Sequence, residues 1–93
     1  MRTIIFSTQY KKDLKLARKR NLPEEELNKV IFNLASDIPL AAKYRDHELY
    51  NQFRGFRECH IKPDWLLMYR KTSDETLQIL ELVRTGSHSD LFG

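Results

Sequence analysis

The chain has a single cysteine, a single tryptophan, three glycines and three prolines in 93 residues. Cys59 alone can close no intramolecular disulfide and build no cysteine-based zinc site, so packing must hold the fold. So little glycine and proline excludes collagen-like and low-complexity chains. No apolar run approaches the roughly 20 residues of a membrane span. The start, Met1-Arg2-Thr3-Ile4-Ile5-Phe6-Ser7, meets charge too early for a signal peptide. These absences predict a soluble, cytoplasmic protein. What is present, 41% apolar, 11% aromatic and 31% charged residues, is a globular composition and not a disordered one. One domain over residues 1–93 is the expectation, because a chain this short supports one core.

The net charge of +3 hides larger opposed terms. Residues 1–20 hold seven basic and one acidic side chain, residues 21–40 one and four, residues 41–62 five and three, and residues 63–93 three and five. Positive charge therefore collects on Lys11, Lys12, Lys15, Arg18, Lys19 and Arg20, and again on Lys43, Arg45, Arg54, Arg57 and Lys62. Such clustering suits a polyanion or an acidic protein, although a solvated helix face has the same composition.

Residues 2–7 read as a short strand. Ser7 or Thr8 then offers an N-cap oxygen to a helix ending near Arg20, with Tyr10, Leu14 and Ala17 on its buried face. Asn21-Leu22-Pro23-Glu24 reads as a cap, an early proline and an acidic first turn. A second helix follows with Leu27, Val30, Ile31 and Leu34 at i, i+3, i+4 and i+7, ending at Asp37-Ile38-Pro39. Residues 38–54 read as a polar connection. Three β runs follow at 55–61, 65–70 and 76–84, the last apolar enough to be central, and the tail has room for one helical turn. The order β-α-α-β-β-β predicts an α+β fold with two helices on one face of an antiparallel sheet.

Polar chemistry gathers late. His47 follows Asp46, His60 shares a strand face with Glu58 and Phe56, Asp64 stands four residues after His60 in a tight turn, and His88 follows Arg84-Thr85-Gly86. Histidine suits proton transfer at neutral pH. Ribonucleolytic cleavage needs a base for the 2′-hydroxyl, an acid for the 5′-oxygen and cations for the phosphate. Arg57 and Arg84 could grip phosphate, and Trp65 and Phe92 could stack on unpaired bases. Each of these residues taken singly also fits a surface or packing role. Three histidines could ligate a metal, but no pair has i, i+4 spacing on a helix, so no metal site is expected. Cys59 faces away from His60 and reads as a small buried hydrophobe.

Three ordered blocks, Ala42-Lys43-Tyr44-Arg45-Asp46-His47, Gly55 through Trp65 and Val83 through Phe92, resemble the YafQ-type branch of the RelE superfamily, toxins of type II toxin–antitoxin pairs. The likeness covers essentially the whole chain. It implies a microbial ribonuclease-like fold, two N-terminal helices on a curved antiparallel sheet, and an mRNA interferase acting in the ribosomal A site without metal or cofactor. By motif position it implies a catalytic group of His47, His60, Asp64 and His88, with Trp65, Arg84 and Phe92 in the same site; Arg57 joins Arg84 as a phosphate contact on its chemistry alone. Glu58 stands where some relatives carry aspartate, an accessory carboxylate. His60 or His47, oriented by Asp64, would serve as base and His88 as acid. The implied partners are messenger RNA, the ribosome with its 16S RNA, and an antitoxin with an acidic C-terminal segment and a DNA-binding N-terminal part, in a hetero-oligomeric, operator-binding complex. The basic first helix would face ribosomal RNA or lie under the antitoxin. A non-catalytic RNA- or protein-binding module is the competing reading of the same basic surface, and it would not require the histidines to converge.

Overall fold

The computed structural model describes residues 1–93. Its elements are β1 (Thr3–Phe6), α1 (Thr8–Lys19), α2 (Glu24–Ala35), β2 (His47–Glu48), β3 (Arg57–Lys62), β4 (Trp65–Ser73), β5 (Gln78–Gly86) and α3 (His88–Phe92), with 3₁₀ turns at Ala42–Tyr44 and Asn51–Phe53. The architecture is α+β, as the periodicity predicts. No helix is long and apolar enough to cross a membrane.

Ser7 caps α1, its side chain accepting the Tyr10 N–H. With so few glycines, other residues take the left-handed positions that close the helices. Asn21 (φ 56°) and Asp37 (φ 56°) each follow a helix C-cap. The Leu22 N–H then reaches the Ala17 carbonyl, and the Ile38 N–H the Asn33 carbonyl, which satisfies end groups that would otherwise be orphaned. Asn21 is therefore the stop of α1 and not the cap of α2, whose N-cap is Pro23 with no side-chain cap bond. Dipole favour from Glu24, Glu25 and Glu26 stands in its place.

The sheet has five strands in the order β1-β5-β4-β3-β2 and is mixed, not antiparallel throughout. β1 lies parallel to β5, while the β3–β4 and β4–β5 pairs are antiparallel. The helical segment between β1 and β3 carries the chain over the sheet, so β1 ends at the edge beside the last strand. The polar connection supplies the fifth strand, β2, which pairs His47 with Glu58 and Glu48 with Arg57. β5 starts at Gln78 and not Thr76, because Asp74 Oδ1 accepts the N–H groups of Thr76 and Leu77 and holds a turn there.

Alternation sorts the two faces. Cys59, Ile61, Trp65, Leu67, Tyr69, Leu80 and Leu82 form one core with Tyr10 and Ala17 of α1 and with Leu27, Val30, Leu34 and Ala35 of α2. Register places His47, Glu58, Met68 and Arg84 in one row of the opposite face, and His60, Leu66 and Gly86 in the next. A bulge makes this arrangement possible. Tyr69 pairs with Leu82 but Met68 pairs with Arg84, so Val83 is the extra residue. Strict alternation would put Arg84 on the core face with Leu80 and Leu82; the bulge turns it to the other side and brings Thr85 to the core instead.

Helix α1 pins that bulge. The Ser7 hydroxyl donates to the Val83 carbonyl (2.6 Å), and buried Asp13 accepts the Thr85 N–H (3.1 Å) and two guanidinium N–H groups of Arg84 (3.0 and 3.1 Å). Replacing Asp13 by Ala leaves the buried Thr85 N–H unpaired and frees Arg84, at a cost of about 1–3 kcal/mol. Lys11→Ala, on the exposed side of the same helix, should stay within about 0.5 kcal/mol. Urea unfolding of the two variants checks this, and equal midpoints would contradict the clamp.

Candidate active site

On the side of the sheet opposite α1 and α2 the three histidines stand in a row. Ring centroids of His47 and His60 are 6.4 Å apart, and those of His60 and His88 are 5.5 Å apart. β2 presents His47 and β3 presents His60. His88 arrives through Gly86, where any Cβ would sit 2.9 Å from the Cβ and Oδ2 of Asp90. That close approach lets α3 begin directly after β5. The Ser87 side chain accepts the Asp90 N–H while Asp90 accepts the Ser87 N–H, a capping box that fixes the first turn.

Each ring is held through the same nitrogen. His47 Nδ1 lies 2.6 Å from the Arg45 carbonyl and His60 Nδ1 3.3 Å from the Pro63 carbonyl. A carbonyl can only accept, so both Nδ1 atoms carry hydrogen. His88 Nδ1 is 2.6 Å from Asp64 Oδ1, which also accepts the His88 backbone N–H at 2.9 Å. These two bonds, the backbone one first, hold the Asp64 carboxyl below its usual range, so it is ionised and His88 Nδ1 donates to it. All three Nε2 atoms are thereby left available for chemistry.

Glu58 sits among them, 4% exposed, with Oε1 3.6 Å from Nε2 of both His47 and His60. Its Oε2 is buried and has no partner. Met68 and Leu66, both buried, share the face with it. Glu58 thus stands at the middle of the cluster. Asp64 pairs with His88 and not with His60, because the Pro63 carbonyl already takes His60 Nδ1. Arg84 belongs to the site's row, but two of its nitrogens are engaged by Asp13; Nη1 has no protein partner.

Three expectations fare differently. Arg57 lies on the opposite, core-side face, donating to Tyr69 Oη and flanked by Asp46 (3.4 Å) and Glu48 (3.6 Å), so it does not join the histidines. Trp65 is 2% exposed and its Nε1–H donates to Thr85 Oγ1 (2.9 Å); it is a core residue whose ring faces no solvent and so has no face to offer a base. Phe92 is 44% exposed and meets Phe53 edge-on at 5.4 Å, leaving an aromatic surface at the end of α3. Cys59 is buried, and burial pushes its thiol up, away from nucleophilic use.

Spacing along the sequence missed several partners. The carbonyls of Arg45 and Pro63 carry no side-chain signal at all. Asp13 did carry one, an acid on the apolar stripe of Tyr10, Leu14 and Ala17. Glu58, His60 and His88 also bring one ligand atom each within 4.8 Å of one another, a grouping drawn from separate elements that helical spacing cannot show. Two imidazoles and a carboxylate are a donor set suited to Zn²⁺ or Cu²⁺, and the unpartnered Glu58 oxygen fits such a cation.

Comparison with known proteins gives the family and the fold. The family described as "Bacterial toxin of type II toxin-antitoxin system, YafQ" matches residues 2–93. The mRNA interferase toxin YafQ of Escherichia coli (strain K12) is 41% identical over 93 residues, 99% of this chain and 97% of that protein. The crystal structure of the E. coli DinJ-YafQ toxin-antitoxin complex contains a chain 41% identical to this one, with a TM-score of 0.85 and coverage of 99% and 98%. A metal-bound toxin from Helicobacter pylori is 48% identical, with a TM-score of 0.89 and coverage of 99% and 100%.

The attachment of α3 should be acid-sensitive. Arg20 donates to Asp90 at 2.8 Å, and this contact, followed by the Ser87 N–H, holds the Asp90 carboxyl down at about 2 against an ordinary 3.8. A depressed folded-state value contributes stability that is present above 3.8 and is lost as pH falls through about 2. Unfolding followed between those pH values should show wild-type stability falling more steeply than that of Asp90→Asn. Parallel curves would mean that the ion pair contributes nothing.

Proposed function

The chain belongs to the YafQ family of type II toxin–antitoxin toxins, and from that premise we propose how its site performs the family's endoribonuclease reaction. It is an mRNA interferase toxin. The observation that carries the mechanism is the shared Nδ1 anchoring of His47, His60 and His88, which leaves three Nε2 atoms free on one face beside Glu58. In this reading Nε2 of His60 or His47 takes the 2′-hydroxyl proton. The 2′-oxygen forms a bond to the adjacent phosphorus as the bond from phosphorus to the 5′-oxygen breaks. His88 Nε2 delivers a proton to that leaving oxygen, with its ring held by Asp64. The products are a 2′,3′-cyclic phosphate and a free 5′-hydroxyl.

Arg84 Nη1 faces the developing phosphorane charge, Asp13 having fixed the other two nitrogens of the fork. Phe92 offers a stacking surface to an unpaired base. Glu58, with Oε1 3.6 Å from Nε2 of His47 and of His60, offsets by its charge the proton that either ring takes from the substrate. The substrate in this reading is messenger RNA in the ribosomal A site. The partner that silences the toxin is an antitoxin, as DinJ is in the E. coli complex that the neighbouring structure contains.

His60→Ala and His88→Ala should each lower single-turnover cleavage by about 10²- to 10⁴-fold, the usual worth of a positioned acid or base. A 2′-deoxy substitution at the scissile nucleotide should abolish cleavage, and induced expression without a partner should arrest growth unless His88 is replaced. Folded His60→Ala and His88→Ala proteins that cut at the wild-type rate would refute the mechanism and leave a binding module.

The same nitrogens cannot hold a cation and move protons. Glu58, His60 and His88 are the residues that would hold one, and its chemistry there would be to occupy Nε2 lone pairs. Micromolar Zn²⁺ or Cu²⁺ should therefore inhibit cleavage, and chelator should restore it. Stimulation by either ion would contradict the acid–base assignment.

A further inference from the structure

Beside His60 the surface opens into a cavity of about 380 Å³ between the Ala42–Tyr44 turn, the N-terminal end of α2 and the β3–β4 turn. Lys43, Arg45 and Lys62 line it with Tyr44 and a single acid, Glu26. None of the three cations takes part in an ion pair, whereas six of the chain's eight arginines do. Lys43 Nζ lies over the Tyr44 ring at 5.1 Å. The ring face is thus already covered by a cation, which suits the cavity to phosphate more than to a stacked base. His60 is common to the cavity and to the proposed catalytic row.

Backbone geometry adds a link. Arg45 holds φ 49° without being glycine, a conformation costing about 1 kcal/mol or more. That turn aims its carbonyl at His47 Nδ1 while its side chain lines the cavity. One residue thereby orients a catalytic ring and faces whatever occupies the neighbouring space.

We propose that this cavity is a phosphate subsite for the RNA strand next to the scissile linkage, with Lys43, Lys62 and Arg45 neutralising its backbone. The inference rests on the endoribonuclease reading above and adds where the strand runs from His60. The subsite positions RNA and reads no base, since phosphate contacts carry no sequence information.

The test uses the whole chain and a short single-stranded RNA made uncleavable by one 2′-deoxynucleotide. Its affinity is measured by fluorescence anisotropy over a range of salt. The Lys43→Gln/Lys62→Gln double variant spares the Arg45 backbone and all three histidines. Each phosphate contact on a single strand contributes about 0.7 to the salt slope, so the variant's slope should be shallower by about 1.4 and its affinity at 0.1 M salt on the order of tenfold weaker. Shortening the strand from one end only should erase the difference between variant and wild type.

Equal slopes and affinities for the two proteins, with wild type binding and cleaving RNA normally, would overturn the subsite alone. Wild type that binds no RNA and cuts no messenger RNA in programmed ribosomes would overturn the endoribonuclease reading and the subsite with it. If the double variant keeps its RNA affinity but loses binding to a polyglutamate peptide, the cavity serves an acidic protein segment and the RNA assignment is wrong.

Discussion

The bulge at Val83 is the point on which both faces of this molecule depend. One inserted residue in β5 reverses the phase of everything after it, so Leu80, Leu82 and Thr85 share the core side while Arg84 and Gly86 share the other. A bulge leaves ladder groups unpaired, and here α1 supplies the partners: Ser7 for the Val83 carbonyl and Asp13 for the Thr85 N–H. Asp13 also accepts from Gln9 Nε2 and from two nitrogens of Arg84. A single buried carboxylate at 8% side-chain exposure joins helix, strand and site cation. The charge is tolerated because it is paired and hydrogen-bonded; losing either partner would strand it in low dielectric.

The two long helices, α1 and α2, cover only one side of the sheet, which leaves the other for polar chemistry and the short α3 that carries His88. What converts that face from merely polar to organised is how the imidazoles are held. An imidazole has two nitrogens, and giving one hydrogen to a fixed acceptor sets ring plane and tautomer together. Arg45 provides one acceptor, and Pro63 and Asp64 of the single β3–β4 turn provide the other two. Two of the three are backbone carbonyls, so ring orientation depends on loop conformation and not on side-chain identity. The buried Glu58 supplies negative charge at the middle of the row. A carboxylate oxygen with no internal partner is costly to bury, and a protein keeps such a group where something it binds will satisfy it.

How much of this was legible in the residues varies with the physics involved. Helix α2 was clear because Leu27, Val30, Ile31 and Leu34 repeat at helical spacing, and the α+β order followed from the change in period. That likeness in three blocks pointed to the family which the comparisons show. Direction and register were not legible. Nothing in Thr3–Phe6 says that β1 runs parallel to β5, and simple alternation through residues 76–84 puts Arg84 on the wrong face. Trp65 reads first as core and also as a base platform, since a large aromatic serves either purpose; burial decides for core. Asp64 and His60 are near in sequence, yet the turn between them gives His60 to Pro63 and leaves Asp64 for a histidine 24 residues away. Local spacing bounds what can meet but does not choose among competing partners.

The charge pattern divides along the same line between fold and function. Guanidinium is a planar fork that matches a carboxylate, and the arginines here are largely committed to such pairs: Arg2 with Asp37, Arg18 with Glu24, Arg20 with Asp90 and Arg70 with Glu81. Ammonium groups are strongly hydrated and hold geometry poorly, and of the lysines only Lys71 is paired. The basic start of the chain is therefore less basic as a surface than as a sequence, because the exposed Arg18 and Arg20 are each paired with an acid, Glu24 and Asp90. Lys11, Lys12, Lys15 and Lys19 remain exposed on α1, and Lys43 and Lys62 beside His60. A polyanion that releases counterions on binding needs charges of this second kind, since a cation already paired must break one contact to make another. The arginines hold the molecule together, and the lysines other than Lys71 stay free of ion pairs.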